Sequence, residues 1–255
     1  MITYVLPAYN EAENVAVLLE KIAKTMAQAE QTYSVVVVDD GSTDGMAAIL
    51  ERKKAEMPLT VLSHPQNQGL GRAVRTGLLH AVGTLPPEAV VIVMDADNTF
   101  DPSHTPAMWR ALEAGADLVI ASRFAPGGEE VGVQFHRRVL SRLARAVLTL
   151  LYHVPGVRDY TCSFRAYRVE LLQRGLEVYG EHLTTSRGFP IMAELLIKLA
   201  ALGPQVVEVP LTLRYDLKRG RSKLAIARTV CEYLSMLLRS LPSVVAARRR
   251  GASRA

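Results

Sequence analysis

The stretch VVIVMDADNTFDP, residues 90–102, sets five apolar residues directly against two carboxylates, Asp95 and Asp97. An unbroken Val/Ile run of this length reads as a strand buried on both faces. Its end aims two negative charges at one small volume. Taken alone, that is a turn cap as readily as a cation site, although paired carboxylates repel each other unless a positive charge lies beside them. The surrounding sequence decides between the two.

Further apolar runs at residues 2–6, 33–38, 59–62 and 118–121 have the same character, and the run quoted above begins at Ala89. Helical patterns lie between them. Val15, Leu18, Leu19, Ile22 and Met26 share one face, with Asn10 expected as the cap, and segments 46–56, 71–82 and 102–114 supply the other crossovers. Alternating strand and helix predicts an α/β fold: a mostly parallel sheet with right-handed crossovers and helices on both faces. Such sheets bind ligands at the carboxyl ends of their strands. Polar residues gather at that edge. Pro7, Tyr9 and Glu11 follow the first strand, Asp39 and Asp40 end the second, and Asn67, Gly69 and Gly71 follow the third. Asp95 and Asp97 follow the fourth. Turn chemistry alone does not account for four successive strand ends of this kind, though Gly69 and Gly71 suit a tight turn.

The second half is less regular. Residues 139–152 read as a helix with Arg138, Arg142 and Arg145 along one stripe. Residues 159–168 look extended and then enter a short helix, 188–202 another helix containing Glu194, and 206–215 a last strand with Pro210 near an edge. A basic loop, DLKRGRSKL, precedes an amphipathic helix over 224–241. The expected division is one α/β domain over 1–223 and an amphipathic, basic tail over 224–255.

Composition narrows the class. The chain has 255 residues, 49% hydrophobic and 22% charged, as in an ordinary soluble protein. Its net charge of +5 is uneven: from Lys218 onward ten Lys or Arg stand against one acid, Glu232. A second acid-free region, 131–158, carries Arg137, Arg138, Arg142, Arg145 and Arg158. Basic segments of this kind suit phosphates or anionic lipid, while the lack of interleaved stacking aromatics speaks against nucleic acid. Two cysteines, Cys162 and Cys231, form no metal-type spacing and read as reduced core residues, so a cytoplasmic location is expected. The opening MITYVLPAYN has no basic leader, and no apolar run of about 18 residues occurs, so neither a signal peptide nor a membrane span is expected.

The segments LPAYNEAENV, VVVVDDGSTDGM, NQGLGRAVRTGL and VVIVMDADNTFDP appear in the order and at the separations seen in family-2 glycosyltransferases of GT-A fold. The resemblance covers roughly residues 2–224. The later segments ADLVIASRF, DYTCSFRAYR, GFPIMAELLIKL and GRSKL are most similar to the dolichyl-phosphate mannose synthase branch, whose acceptor is a polyprenyl phosphate.

That resemblance implies a metal-dependent inverting transfer of a hexose, mannose or glucose, from a nucleotide sugar (GDP-mannose or UDP-glucose) to a polyprenyl phosphate at a membrane surface. It assigns Pro7, Tyr9, Glu11 and Asp40 to the nucleoside pocket. Asp95 goes to the ribose and sugar, and Asp97, with Asp95, to Mg²⁺ or Mn²⁺. Arg123 joins the two aspartates as a catalytic residue beside the phosphates or the acceptor. Arg138 and Arg142 are assigned to the lipid phosphate, and Arg214 and Lys223 to the diphosphate. Hard cations of this kind take one or two carboxylates and complete their shell with phosphate and water.

The sequence departs from the branch at Thr99, where a side chain such as Gln commonly completes the metal site; water or Asn98 is left to do so. A general base is also hard to find, with Glu194 and Asp159 the two candidates. An ionised phosphate acceptor needs none, whereas a sugar hydroxyl does. Two alternatives stay open: transfer to a soluble hydroxyl, and a catalytically silent nucleotide-binding protein of the same fold. Membrane docking is expected of the last helix and of the basic helix near residue 140; equally, the last helix could pack on the domain, on a partner subunit or on a second copy.

Overall fold

A computed structural model describes residues 1–217 and 226–252, the side chains of 226–228, 243 and 246–252 excepted. A seven-stranded sheet has the order β3-β2-β1-β4-β7-β5-β8. Its strands are β1 (Ile2–Ala8), β2 (Tyr33–Asp39), β3 (Leu59–Ser63), β4 (Val90–Val93), β5 (Leu118–Ser122), β7 (Arg165–Arg168) and β8 (Val206–Pro210). All neighbours pair in parallel except at β7, which runs antiparallel to both β4 and β5. A small second sheet joins β6 (Glu129–Val131) to β9 (Thr212–Arg214).

Every residue of β1, β4 and β5 is buried, which requires cover on both faces of the sheet. The cover comes from α1 (Ala12–Gln28), α2 (Met46–Lys54), α3 (Leu70–Thr84), α4 (Thr105–Glu113), α6 (Val169–Tyr179) and α7 (Ile191–Ala200). In α1 the residues facing the sheet are Val15, Leu18, Leu19, Ile22 and Met26, the stripe expected from the spacing. Two further helices, α5 (Phe135–Tyr152) and α8 (Ile226–Ala252), close the carboxyl edge of the sheet. They meet where the Tyr152 hydroxyl donates to the Leu237 carbonyl at 2.9 Å.

Several expectations shift. Asn10 does not cap α1: it takes a left-handed conformation, φ 51°, and its side chain accepts from the Thr43 amide. The helix start is capped from the next loop instead, by Asp44 accepting from the Ala12 amide at 2.8 Å. The two loops thus lock each other, which local sequence cannot reveal. The stretch 206–215 is two strands, not one: β8 lies at the sheet edge, where Pro210 is tolerated, and the chain then leaves for the small sheet. Residues 165–168 form β7, and the helix after it runs eleven residues. Cys162 is buried as expected, but Cys231 is exposed on α8.

Candidate active site

The carboxyl ends of the strands open into one cavity of about 780 Å³. Pro7, Tyr9 and Glu11 enter it from β1, Asp40 from β2, Gln68 and Gly69 from the turn before α3, Asp95, Asp97 and Thr99 from β4, and Arg123 from β5. These convergent strand ends are what the sequence pattern anticipated. The opposite wall comes from α5, from Thr161–Ser163, from Arg187–Phe189 and from the first turns of α8.

Asp40 is buried and heavily engaged. Its carboxylate accepts from the amides of Gln68 at 2.9 Å and Gly69 at 2.8 Å, tying β2 to the α3 turn. His64 Nδ1 lies 2.6 Å from Asp40 Oδ1 and its Nε2 lies 3.0 Å from Thr76 Oγ1. A carboxylate only accepts, so Nδ1 carries the proton and the ring joins Asp40 to α3. Sequence reasoning assigned His64 nothing. The signal was its place, immediately after β3, where the other strands also deliver a polar group. Gly71 is required by close approach: a Cβ there would stand 1.9 Å from the Ser186 carbonyl oxygen.

In the loop after β4, Thr99 donates to Asp97 Oδ1 twice, through its hydroxyl at 2.6 Å and its amide at 3.2 Å. Thr99 is therefore a clamp on Asp97. Asn98, with φ 62°, accepts instead from Lys21 of α1 at 2.9 Å. Among the described residues no group of three His, Cys, Asp or Glu side chains stands ready to hold a metal. Two carboxylates in a cavity large enough for a diphosphate fit a hard dication whose shell is completed by phosphate and water, not an all-protein cage.

Arg123 sits between two carboxylates, 3.2 Å from Asp159 and 3.3 Å from Glu130, and donates to Thr161 Oγ1 at 2.8 Å. Burial works against its charge, but Asp159, Cys162 and Glu130 outweigh that and hold its pKa above the ordinary arginine value. Its guanidinium also lies over the Phe124 ring at 4.9 Å, and Arg145 approaches the same ring at 5.1 Å.

The arginine stripe of α5 does not reach the cavity as expected. Arg137, Leu140, Ser141 and Ala144 face it, whereas Arg138 lies 3.9 Å from Glu130 and donates to the Glu130 carbonyl, and Arg142 is exposed. Arg137 donates to the Tyr215 hydroxyl at 2.6 Å, with its guanidinium 5.2 Å from that ring. The face could not be read from the sequence because α5 exposes much of its apolar surface, so hydrophobicity does not mark the inner side. Arg214 does not line the cavity either; it is paired with Asp216 at 2.7 Å. Lys223 lies outside the described residues.

Neither candidate base is poised to take a proton. Asp159 is fully buried and bound by Arg123 and by the amides of Thr161 and Cys162. Glu194 does not line the cavity; it accepts from the Thr185 hydroxyl and the Ser186 amide and pairs with Lys198. Burial raises its pKa, yet Lys198 and these donors reverse the sign and hold it below the ordinary value. The Cys162 thiol lines the cavity but burial, then Asp159, push its pKa far up, so it stays protonated and inert. Tyr160, Phe164 and Tyr167 are packed in the core.

The architecture, parallel strands whose ends present an aspartate pair beneath a wide cleft, is the GT-A type. Among solved structures the chain is similar to glucosyl-3-phosphoglycerate synthase from Mycobacterium tuberculosis in complex with Mn²⁺, UDP-glucose and phosphoglyceric acid. The TM-score is 0.67 at 21% identity, covering 95% of this chain and 80% of that one, a likeness of fold. The family model for Glycosyl transferase family 2 matches residues 3–176, and the chain belongs to that family. It is 32% identical over 239 residues to a dolichol-phosphate mannosyltransferase from Pyrococcus furiosus, covering 93% of this chain and 63% of that protein, so it spans under two thirds of that relative's length. It is also 32% identical over 223 residues to the polyprenol monophosphomannose synthase of Mycolicibacterium smegmatis, covering 87% of this chain and 80% of that protein.

Proposed function

We propose that this protein transfers a hexose, mannose or glucose, with inversion from a nucleotide sugar to a polyprenyl phosphate while docked on a membrane surface. One observation carries the reading: a single cavity holds Asp95 and Asp97 on one wall and Arg123 and Arg137 among its other lining residues, and the helices closing it turn apolar faces outward. Phe135 is 81% exposed and Leu150 84% exposed on α5, and Leu238 is 77% exposed on α8. Interfacial helices with cationic flanks bind lipid surfaces in this way. No helix among the described residues is long and apolar enough to cross a membrane. The cytoplasmic face is part of the proposal, since soluble nucleotide sugar must reach the cavity there. It rests on the buried Cys162 together with an exposed Cys231 that has no disulfide partner.

In this reading Pro7, Tyr9, Glu11 and Asp40 hold the nucleoside, with Asp40 fixed by His64 and two amides. Asp97, oriented by Thr99, and Asp95 hold Mg²⁺ or Mn²⁺, which when bound neutralises charge on the leaving diphosphate. Arg123 and Arg137 receive the acceptor phosphate. An oxygen of that phosphate forms the new bond to the anomeric carbon as the bond to the nucleoside diphosphate breaks. The phosphate is already ionised, so the engagement of Asp159 and Glu194 in structural bonds costs the reaction nothing.

A soluble hydroxyl acceptor is the second reading, favoured by one observation. Glu232 of α8 also lines the cavity, its carboxylate lying where a Cβ on Gly188 would be, 2.1 Å from that position. A base there would serve a hydroxyl. Incubation of the protein with radiolabelled GDP-mannose or UDP-glucose, Mn²⁺ and a polyprenyl phosphate separates the two. Label moving into the organic phase, at a rate unchanged in Glu232→Gln, is expected; label found only on water-soluble products overturns the lipid reading.

A further inference from the structure

A second, smaller cavity of about 210 Å³ lies beside the first and shares a single lining residue with it, Arg187. Three arginines, Arg72 and Arg75 from the start of α3 and Arg187 from the loop before α7, converge on it together with His182. Against them stands one acid, Glu181, whose side chain is 92% exposed and whose nearest oxygen is 3.9 Å from Arg75, too far for a hydrogen bond. Arginines brought together in this way repel one another, and an anion between them removes that repulsion.

The floor of the cavity is prearranged. Thr184 and Ser186 are buried within it, and the chain between them is held from below by Glu194, which accepts from the Thr185 and Ser186 amides at 3.0 and 2.8 Å. The α3 turn is fastened to the same segment by the Gly71 amide, which donates to the Arg187 carbonyl at 2.7 Å. Within this pinned segment the Ser186 hydroxyl is buried and meets no hydrogen-bond partner among the described residues. Such a group costs free energy unless a ligand or water satisfies it.

We infer that this cavity is a site for a phosphate-class anion, separate from the substrate cavity and linked to it through Arg187. The guanidinium forks match phosphate oxygens in pairs, and the volume suits a phosphate or a small phosphorylated molecule. An anion drawn to Arg187 pulls that side chain toward the smaller cavity and so changes the wall of the larger one. The inference does not depend on which acceptor the enzyme uses.

The test is calorimetric titration of the whole protein with inorganic phosphate, with and without saturating Mn²⁺ and nucleoside diphosphate. Phosphate is expected to bind in both conditions, and Arg72→Ala/Arg75→Ala is expected to weaken it on the order of tenfold or more while leaving nucleotide affinity and the melting temperature unchanged. Phosphate binding untouched by the double substitution, or abolished by the nucleotide, overturns the inference, since the anion would then occupy the substrate cavity. Once binding is established, phosphatidic acid vesicles that compete with phosphate identify a lipid headgroup as the source, and vesicles that do not compete identify a soluble one.

Discussion

The two walls of the substrate cavity are built in opposite ways. The wall from Pro7 to Thr99 hangs on the ends of β1, β2 and β4 and on the loop after β3, and each polar group lies within a few residues of a buried strand. Its geometry is tied by short hydrogen bonds at Asp40 and Asp97. The facing wall gathers α5, Thr161, Arg187 and α8 from distant parts of the chain, joined by the charges around Arg123 and by the Tyr152–Leu237 bond. Its outer surface is exposed and apolar. The first wall is rigid because the sheet core fixes it, which suits one nucleotide and one cation. The second owes its shape to long-range contacts and an unfilled outer face, which suits an acceptor that arrives in a lipid surface.

The largest expected effect breaks the first wall. Asp97→Ala should lower turnover on the order of 10²-fold or more by removing a carboxylate from the dication. Titration of Mn²⁺ followed by paramagnetic resonance should show the matching loss of metal binding. Unchanged turnover would mean that the aspartate pair is only a turn.

Stability probes the floor of the smaller cavity. Glu194→Gln leaves Lys198 buried without its counter-charge and should cost about 3 kcal/mol in urea unfolding at neutral pH. Because its folded pKa lies below the ordinary value of 4.5, the stabilisation is fully present above that pH and is lost as pH falls through the lowered value. The gap between the two proteins should therefore close in acid, and a gap that widened there would reverse the assignment.

The second wall is tested next. Arg137→Ala should raise the KM for a polyprenyl phosphate about tenfold with little change in the donor KM, as expected for one charged contact. Arg138→Ala and Arg142→Ala should change it less. Equal effects from all three would show that the helix acts through its overall charge and not through the face that lines the cavity.

The smallest effect separates clamp from ligand in the first wall. Thr99→Val keeps the shape but removes the hydroxyl, and should weaken Mn²⁺ binding only severalfold, about the contribution of one hydrogen bond. A loss as large as that of Asp97→Ala would make Thr99 a direct ligand.

Asp97, Asp40 and Glu11 were legible because a buried strand announces itself by composition, and its end must then lie at the ligand-binding edge. His64 was overlooked although it occupies the same kind of position, since its importance comes only from meeting Asp40 and Thr76 across the turn. Asn10 was misread because its partner, Thr43, belongs to another loop.

By itself the sequence determined β1 to β5, the crossovers between them and the edge where polar groups gather, because burial of Val and Ile runs and the period of the helices are local properties. Only the tertiary structure decided that Arg137 and not Arg138 or Arg142 faces the cavity, that Asp159 is spent on Arg123, and that three arginines, two on α3 and one in the loop before α7, share a second pit. Those are facts of which charge meets which, and charge pairing depends on distances through space that no spacing along the chain encodes.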